Sequence, residues 1–293
     1  MAGAEPFFSV IIPTHGRPAF LQEAVASVLS QSFADSEVIV VDDGNDEPAN
    51  VPADGRVRVL RHDVNRGAAA ARNTAIRAAR GRYICFLDDD DVYPPGRLAT
   101  IAGELDVATG PPILLCWLGD FDHPDDPRLR EGRSLEGNVR DTILDGPIPQ
   151  LGTCTVARSA IVEFDEGYRA SEDVEWWLRQ AAVGPVRTIR AVLYLRRSHA
   201  GERLTTRLDL KLAARLELLE QHAAFFGSHP RAAAYHWRRA GGMALLLGQS
   251  GEARRAFVRS WRSQRDIRTL VHFARTLLPR RGRRVGAPPA LTA

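Results

Sequence analysis

The sequence predicts an α/β domain on a mainly parallel central sheet, followed by an all-helical extension. Three observations carry this reading. Short β-branched runs alternate with segments of helical period over the first hundred residues. Three of those runs end in a cluster of polar side chains. Beyond residue 205 the period becomes helical throughout and the sign of the charge reverses. With 293 residues and 44% hydrophobic content the chain can bury a sizeable core.

Phe8–Pro13 is an apolar run suited to a buried strand. Thr14-His15-Gly16-Arg17 turns the chain, Pro18 suits the first turn of a helix, and Leu21, Ala24, Val25, Val28 and Leu29 repeat at helical spacing. Glu37–Val41 reads as a second strand, closed by Asp42-Asp43-Gly44-Asn45, and Val57–Leu60 as a third. Gly67 opens an alanine-rich helix that Gly81 stops. Tyr83–Leu87 is a fourth strand, running into Asp88-Asp89-Asp90-Asp91. Alternation of this kind implies a sheet covered on both faces, with its ligand crevice beyond the carboxyl ends of the strands. The polar clusters fall at those ends. Between Gly119 and Gln150 the chain is rich in Asp, Pro and Gly, which reads as a long irregular substrate loop. A helix–turn–helix unit follows around Met243–Val258 without a second copy, so no repeat is assigned. The expected division is a domain over 1–204, a helical region over 205–279 and a frayed tail over 280–293.

Residues 1–200 carry 21 basic and 30 acidic side chains, whereas 201–293 carry 18 and 6. An asymmetry of this size points to two regions with different partners. The longest central apolar run, Ile113–Leu118, is far short of a membrane-spanning helix, and Glu5 and Pro6 stand where an export signal would be basic and then apolar. The expectation is a soluble, cytoplasmic protein. Three scattered cysteines make neither a disulfide framework nor a zinc site.

Four successive aspartates repel one another. Like charges about 4 Å apart cost roughly 4 kcal/mol at an effective dielectric near 20, less if they point to opposite faces. Strand geometry puts Asp88 and Asp90 on one face and Asp89 and Asp91 on the other. A hard divalent cation, Mg2+ or Mn2+, relieves such a run and keeps positions for phosphate; a solvated acidic turn is the plain alternative. Asp42-Asp43 suits a ribose hydroxyl, a base N–H or a turn cap.

The segments FSVIIPTHGR, VIVVDDGN, NRGAAAARNTAIRAARGRYICFLDDDDVYPPGRL and SEDVEWWLR occur in that order. The ordered set resembles the inverting family 2 glycosyltransferases, whose Rossmann-like GT-A fold binds a nucleotide diphosphate sugar. The likeness is close over 7–98, recognisable over 150–200 and absent beyond about 205. It implies nucleotide-sugar contacts for Thr14, Arg17, Asp42, Asp43, Arg72, Asp88 and Asp89, with Asp43 toward the base and Asp42 near the ribose. Asp88 and Asp90 match the family's Asp-x-Asp, Asp90 on the metal (Mn2+ or Mg2+), with His199 completing the metal or diphosphate site. Glu172-Asp173 matches the acceptor-side acidic pair, Asp173 being the catalytic base, and Trp176 would help shape the acceptor side.

The resemblance thus implies metal-dependent transfer with inversion from a donor, foremost a uridine diphosphate sugar, to a hydroxyl of a saccharide, lipid-linked or small-molecule acceptor. Two other readings compete: a nucleotide-sugar-binding scaffold without activity, which the intact candidate base opposes, and a nucleotidyltransferase, for which THGRP is a poor triphosphate loop. In the basic carboxyl-terminal region Ile267, Leu270, Val271, Ala274, Leu277 and Leu278 share a helical face flanked by arginines. That face suits packing on the catalytic domain or peripheral contact with an anionic membrane. No aromatic platform or recognised module supports nucleic-acid binding.

Overall fold

The computed structural model describes residues 5–105, 111–198 and 207–277. It forms two compact units, Met1–Leu218 and Leu219–Ala293, a boundary later than the 204/205 division expected from sequence, because most of one helix, Leu208–Gln221, belongs with the first unit.

The first unit is built on a seven-stranded sheet. Its strands are β1 (Phe8–Thr14), β2 (Ser36–Asp43), β3 (Val57–His62), β4 (Tyr83–Phe86), β5 (Ile113–Asp120), β6 (Cys154–Ala157) and β7 (Val186–Arg196), in the order β3-β2-β1-β4-β6-β5-β7. β1, β2, β3 and β4 are mutually parallel, and β6 runs antiparallel between β4 and β5. Helices α1 (Pro18–Leu29), α2 (Ala68–Ala78), α3 (Arg97–Glu104) and α4 (Glu172–Gln180) follow β1, β3, β4 and β6. β1 and β2 are buried at nearly every position because both of their faces are covered. The core includes Val10, Ile12, Val38, Val40 and Cys85 beneath Leu21, Val25 and Val28 of α1. Within that core Arg97 is fully buried, donating to the carbonyls of Leu193 at 2.6 Å and Gly152 at 2.9 Å, with Tyr93 stacked 4.0 Å away. It ties β7 and the start of β6 to α3.

The stretch 119–150 is not the loosely held loop expected. Leu118 and Glu131 form a bridge, Gly137 pairs with Val186, and Val139, Ile143 and Leu144 are buried. Those three side chains anchor it despite its polar composition.

The second unit contains α6 (Ala223–Ser228), α7 (Pro230–Leu246), α8 (Ser250–Ser263) and α9 (Ile267–Arg275), after α5 (Leu208–Gln221) crosses the boundary. α7 and α8 pack through Ala233, Ala240 and Ala244 against Ala253, Ala256 and Phe257. Gly241 allows the approach: a Cβ there would lie 2.6 Å from the Phe257 ring. No helix among the described residues is long and apolar enough to cross a membrane.

Candidate active site

Parallel pairing brings Thr14, at the end of β1, beside Asp42, at the end of β2, and carries β4 on into Asp88 at the same edge. Asp42 is fully buried. One oxygen accepts from the backbone and side-chain N–H groups of Asn45 at 3.0 and 2.7 Å, the other from Ala49 N–H at 2.9 Å. Asp42 is expected near the ribose; in the structure its oxygens face the loop they organise. Asp43 caps the start of α2 from a distance, accepting from Arg66 N–H at 2.9 Å and Gly67 N–H at 2.8 Å, where the helix dipole favours an anion. His62 Nδ1 lies 2.7 Å from the same carboxylate, a partner no local pattern revealed. Gly44 makes the turn possible with φ +73°, and a Cβ there would lie 2.4 Å from the backbone of Val64 and Asn65.

The four aspartates alternate as strand geometry requires. Asp88 and Asp90 are partly open; Asp89 and Asp91 are buried. Asp89 accepts from Thr14 Oγ1 at 2.8 Å and from Arg17 at 2.8 Å, and burial raises its pKa against the pull of those donors. Asp89, expected at the donor, is buried in the structure and holds Thr14 and Arg17. Arg17 also reaches Asp90 at 3.3 Å, so its guanidinium answers the paired negative charge. Asp91 accepts from Tyr194 Oη at 2.6 Å and from Arg197 N–H at 2.8 Å, fastening the end of β7. Burial, with the charge of Asp88, pushes its pKa up to about 7. Sequence reasoning assigned no role to Asp91.

Arg72 joins the two acidic groups. Buried on α2, it donates to Asp88 at 2.9 Å and to Glu172 at 2.7 Å, across 100 residues of sequence. Glu172 and Asp173 begin α4, and the inner face of that helix explains the placement. Asp173, Trp176, Trp177 and Gln180 follow the i, i+3, i+4, i+7 pattern, and the last three are fully buried. Trp176 stacks on Phe164 at 5.2 Å and donates to Val162 O at 2.8 Å; Trp177 donates to Pro149 O at 3.0 Å. The ring faces of Trp176, expected on the acceptor side, lie in the core, where the side chain anchors the helix. Asp173 accepts only its neighbour's backbone N–H, Val174, at 2.9 Å. Burial and the adjacent Glu172 push its pKa up, to about 6. Ser171, just before the pair, has φ +57°, the only positive φ outside glycine among the described residues. Such strain is retained where surrounding contacts over-determine the backbone.

His199 lies outside the described residues. Among those described, no three His, Cys, Asp or Glu side chains form a metal cage. The donor set nevertheless fits a hard ion that keeps water and phosphate oxygens, which needs only one or two carboxylates. Asp88 and Asp90 are open on one face, and Asp88 has one oxygen engaged by Arg72 and the other without a hydrogen bond.

Residues 9–130 match the family described as Glycosyl transferase family 2. The likeness to that family covers the part of the chain from β1 to β5, including the four aspartates. Among similar proteins, Escherichia coli WfgD, a UDP-Glc:alpha-D-GlcNAc-diphosphoundecaprenol beta-1,3-glucosyltransferase, is 35% identical over 94 residues, covering 31% of this chain and 37% of WfgD. Bacillus subtilis TuaG, a putative teichuronic acid biosynthesis glycosyltransferase, is 38% identical over 104 residues, covering 33% and 41%. The chain spans about two fifths of the length of these curated relatives. The fold is shared more widely. Staphylococcus aureus TarS 1–349 in complex with UDP-GlcNAc superposes with TM-score 0.64 at 18% identity, over 90% of this chain and 83% of that one. The mannosyltransferase PcManGT from Pyrobaculum calidifontis, in complex with GDP-Man and Mn2+, gives 0.56 at 17%, over 94% and 80%. These likenesses establish the GT-A fold.

Proposed function

We infer that this chain transfers a sugar from a nucleotide diphosphate donor to an acceptor hydroxyl with inversion at the anomeric carbon. The observation that carries the reading is the Asp88–Arg72–Glu172 bridge, which brings the strand-end aspartates and the start of α4 into one site. Asp173 sits there without a side-chain partner, its carboxyl pushed up to about 6, so it is ionised at neutral pH yet a better proton acceptor than an ordinary aspartate. It takes the acceptor's hydroxyl proton as the new C–O bond forms and the nucleotide diphosphate departs. Asp43 serves the base, and Thr14, Arg17 and Arg72 the remainder of the nucleotide. Arg17 and Arg72 also hold the aspartates in position.

Asp88 and Asp90, with His199, would hold Mn2+ or Mg2+, which when bound supplies Lewis-acid neutralisation of the departing diphosphate. The relatives' names favour a saccharide acceptor that is lipid-linked or polymeric, and the TarS complex favours a uridine donor. A cytoplasmic enzyme working at the membrane's inner face fits such an acceptor.

The test is a panel of uridine, guanosine and thymidine diphosphate sugars with Mn2+ or Mg2+, read by thermal shift and by nucleotide diphosphate release. A donor that raises the melting temperature and is turned over supports the reading. If no donor binds with either ion, the reading is lost.

A further inference from the structure

We propose that the outer face of α8 and α9 docks on an anionic lipid bilayer. α9 is turned the opposite way from an ordinary surface helix. Thr269 is its buried side chain, with Thr276 buried just past the helix end, and Ser260 Oγ of α8 lies 3.2 Å from Thr269 Oγ1. The apolar positions spaced i, i+3, i+4 and i+7 face outward: Ile267 is 73% exposed, Leu270 42% and Val271 52%, with Ala274 exposed beside them and Leu277, just past the helix end, 61%. A groove between the two helices continues this surface, lined by Phe257, Val258, Trp261 and Leu270. Water gains nothing from such a face, and a covering partner does.

The charge identifies that partner. Between residues 252 and 275 seven arginines are exposed, against two acids in the same stretch. Both acids are already paired, Glu252 with Arg255 and Asp266 with Arg238 at 2.8 Å. Arg262 lines the groove, and Arg268 and Arg275 flank the apolar stripe on α9. An apolar stripe bordered by arginines, with a tryptophan at its edge, matches the boundary between headgroups and acyl chains: the stripe enters the acyl layer and the guanidinium groups meet anionic headgroups. The proposal uses no residue of the transfer site, and its failure leaves the proposed reaction untouched.

Co-sedimentation of the full chain with vesicles of phosphatidylglycerol and phosphatidylcholine, against pure phosphatidylcholine, tests the proposal. The chain is expected to bind the anionic vesicles, to release as salt rises, and to bind pure phosphatidylcholine far more weakly. The double variant Leu270→Glu/Val271→Glu is expected to abolish binding. Arg262→Gln/Arg268→Gln/Arg275→Gln is expected to weaken it about fivefold per arginine. Both variants keep the wild-type circular dichroism and the thermal shift with nucleotide diphosphate, since all five side chains are exposed. Equal partition to the two vesicle types overturns the proposal. So does undiminished binding by the double-glutamate variant, which would move the contact to residues 280–284. A dimer that this variant dissociates would also overturn it, assigning the face to a second copy of the chain.

Discussion

At the sheet edge of the first unit, charged side chains turn inward and meet one another; on α8 and α9 of the second, apolar side chains turn outward and meet nothing among the described residues. Both arrangements depart from the usual partition of polar and apolar groups, and for different reasons. Asp89 and Asp91 are buried because each has donors waiting: Thr14 and Arg17 for one, Tyr194 and the Arg197 amide for the other. Their neighbours Asp88 and Asp90 are thereby held open on the other face. The buried pair holds Thr14, Arg17 and the end of β7, and the other pair meets Arg17 and Arg72. Ile267, Leu270 and Val271 have no comparable compensation, so their exposure points to a partner outside the chain.

If the sheet edge is built for transfer, the largest effect will come from Asp173. Asp173→Asn is expected to lower turnover by about 10²–10⁴-fold while leaving nucleotide diphosphate binding intact. The sign of the pH dependence follows from its raised pKa: the ionised carboxylate is the base, so wild-type activity rises as pH passes upward through about 6. Steady-state rates with the donor found by thermal shift, taken from pH 5 to 8, check both points. Wild-type rates in the Asn variant would remove Asp173 from the chemistry.

The next effect concerns Asp91 and reads stability. Its pKa is near 7 in the folded protein, far above an ordinary aspartate, so the folded state holds a proton that the unfolded chain releases. The stabilisation is fully present below about pH 4 and is lost as pH rises to 7, by up to about 4 kcal/mol. Asp89, also raised by burial, adds a slope of the same sign. Urea denaturation at pH 5 and pH 8 is expected to show the wild type weakening with pH and Asp91→Asn weakening much less. Identical slopes would mean that Asp91 is ionised throughout.

Arg72 tests the link between the two halves of the site. Arg72→Met is expected to destabilise the fold by about 3 kcal/mol, because Asp88 and Glu172 lose the cation between them. Adding Glu172→Gln removes one of the stranded charges and is expected to recover part of the loss. A double-mutant cycle with no coupling would show that the bridge is incidental.

How much of this could be read from the sequence depends on the distance over which each feature is decided. β1, β2, β4 and the outward face shared by Asp88 and Asp90 follow from periodicities two to four residues long, and they were legible. Ile267, Leu270 and Val271 were legible as one face of a helix for the same reason; which way the face points was not. The partners of Arg72 lie 16 and 100 residues away, and those of Asp91 more than 100, so their roles emerge only when the sheet is assembled. The antiparallel insertion of β6 is a long-range decision of the same kind. Trp176 is ambiguous in sequence because an aromatic beside a candidate catalytic carboxylate suits a sugar face and a core equally. Only its stacking on Phe164, 12 residues earlier, distinguishes the two.

The smallest expected effect is the sharpest probe of the second unit. Leu270→Gln should change the stability of the free protein by no more than about 0.5 kcal/mol, because the side chain is already in water. Phe257→Ala, one turn inside the same helix pair, should cost about 3–5 kcal/mol, since that ring fills the space that Gly241 leaves open. Thermal or urea unfolding of the two variants measures the contrast directly. A large loss in Leu270→Gln would mean that the leucine is covered in solution by another part of this chain or by a second copy. The outward stripe would then be an internal contact, and the difference between the two units would reduce to one of charge.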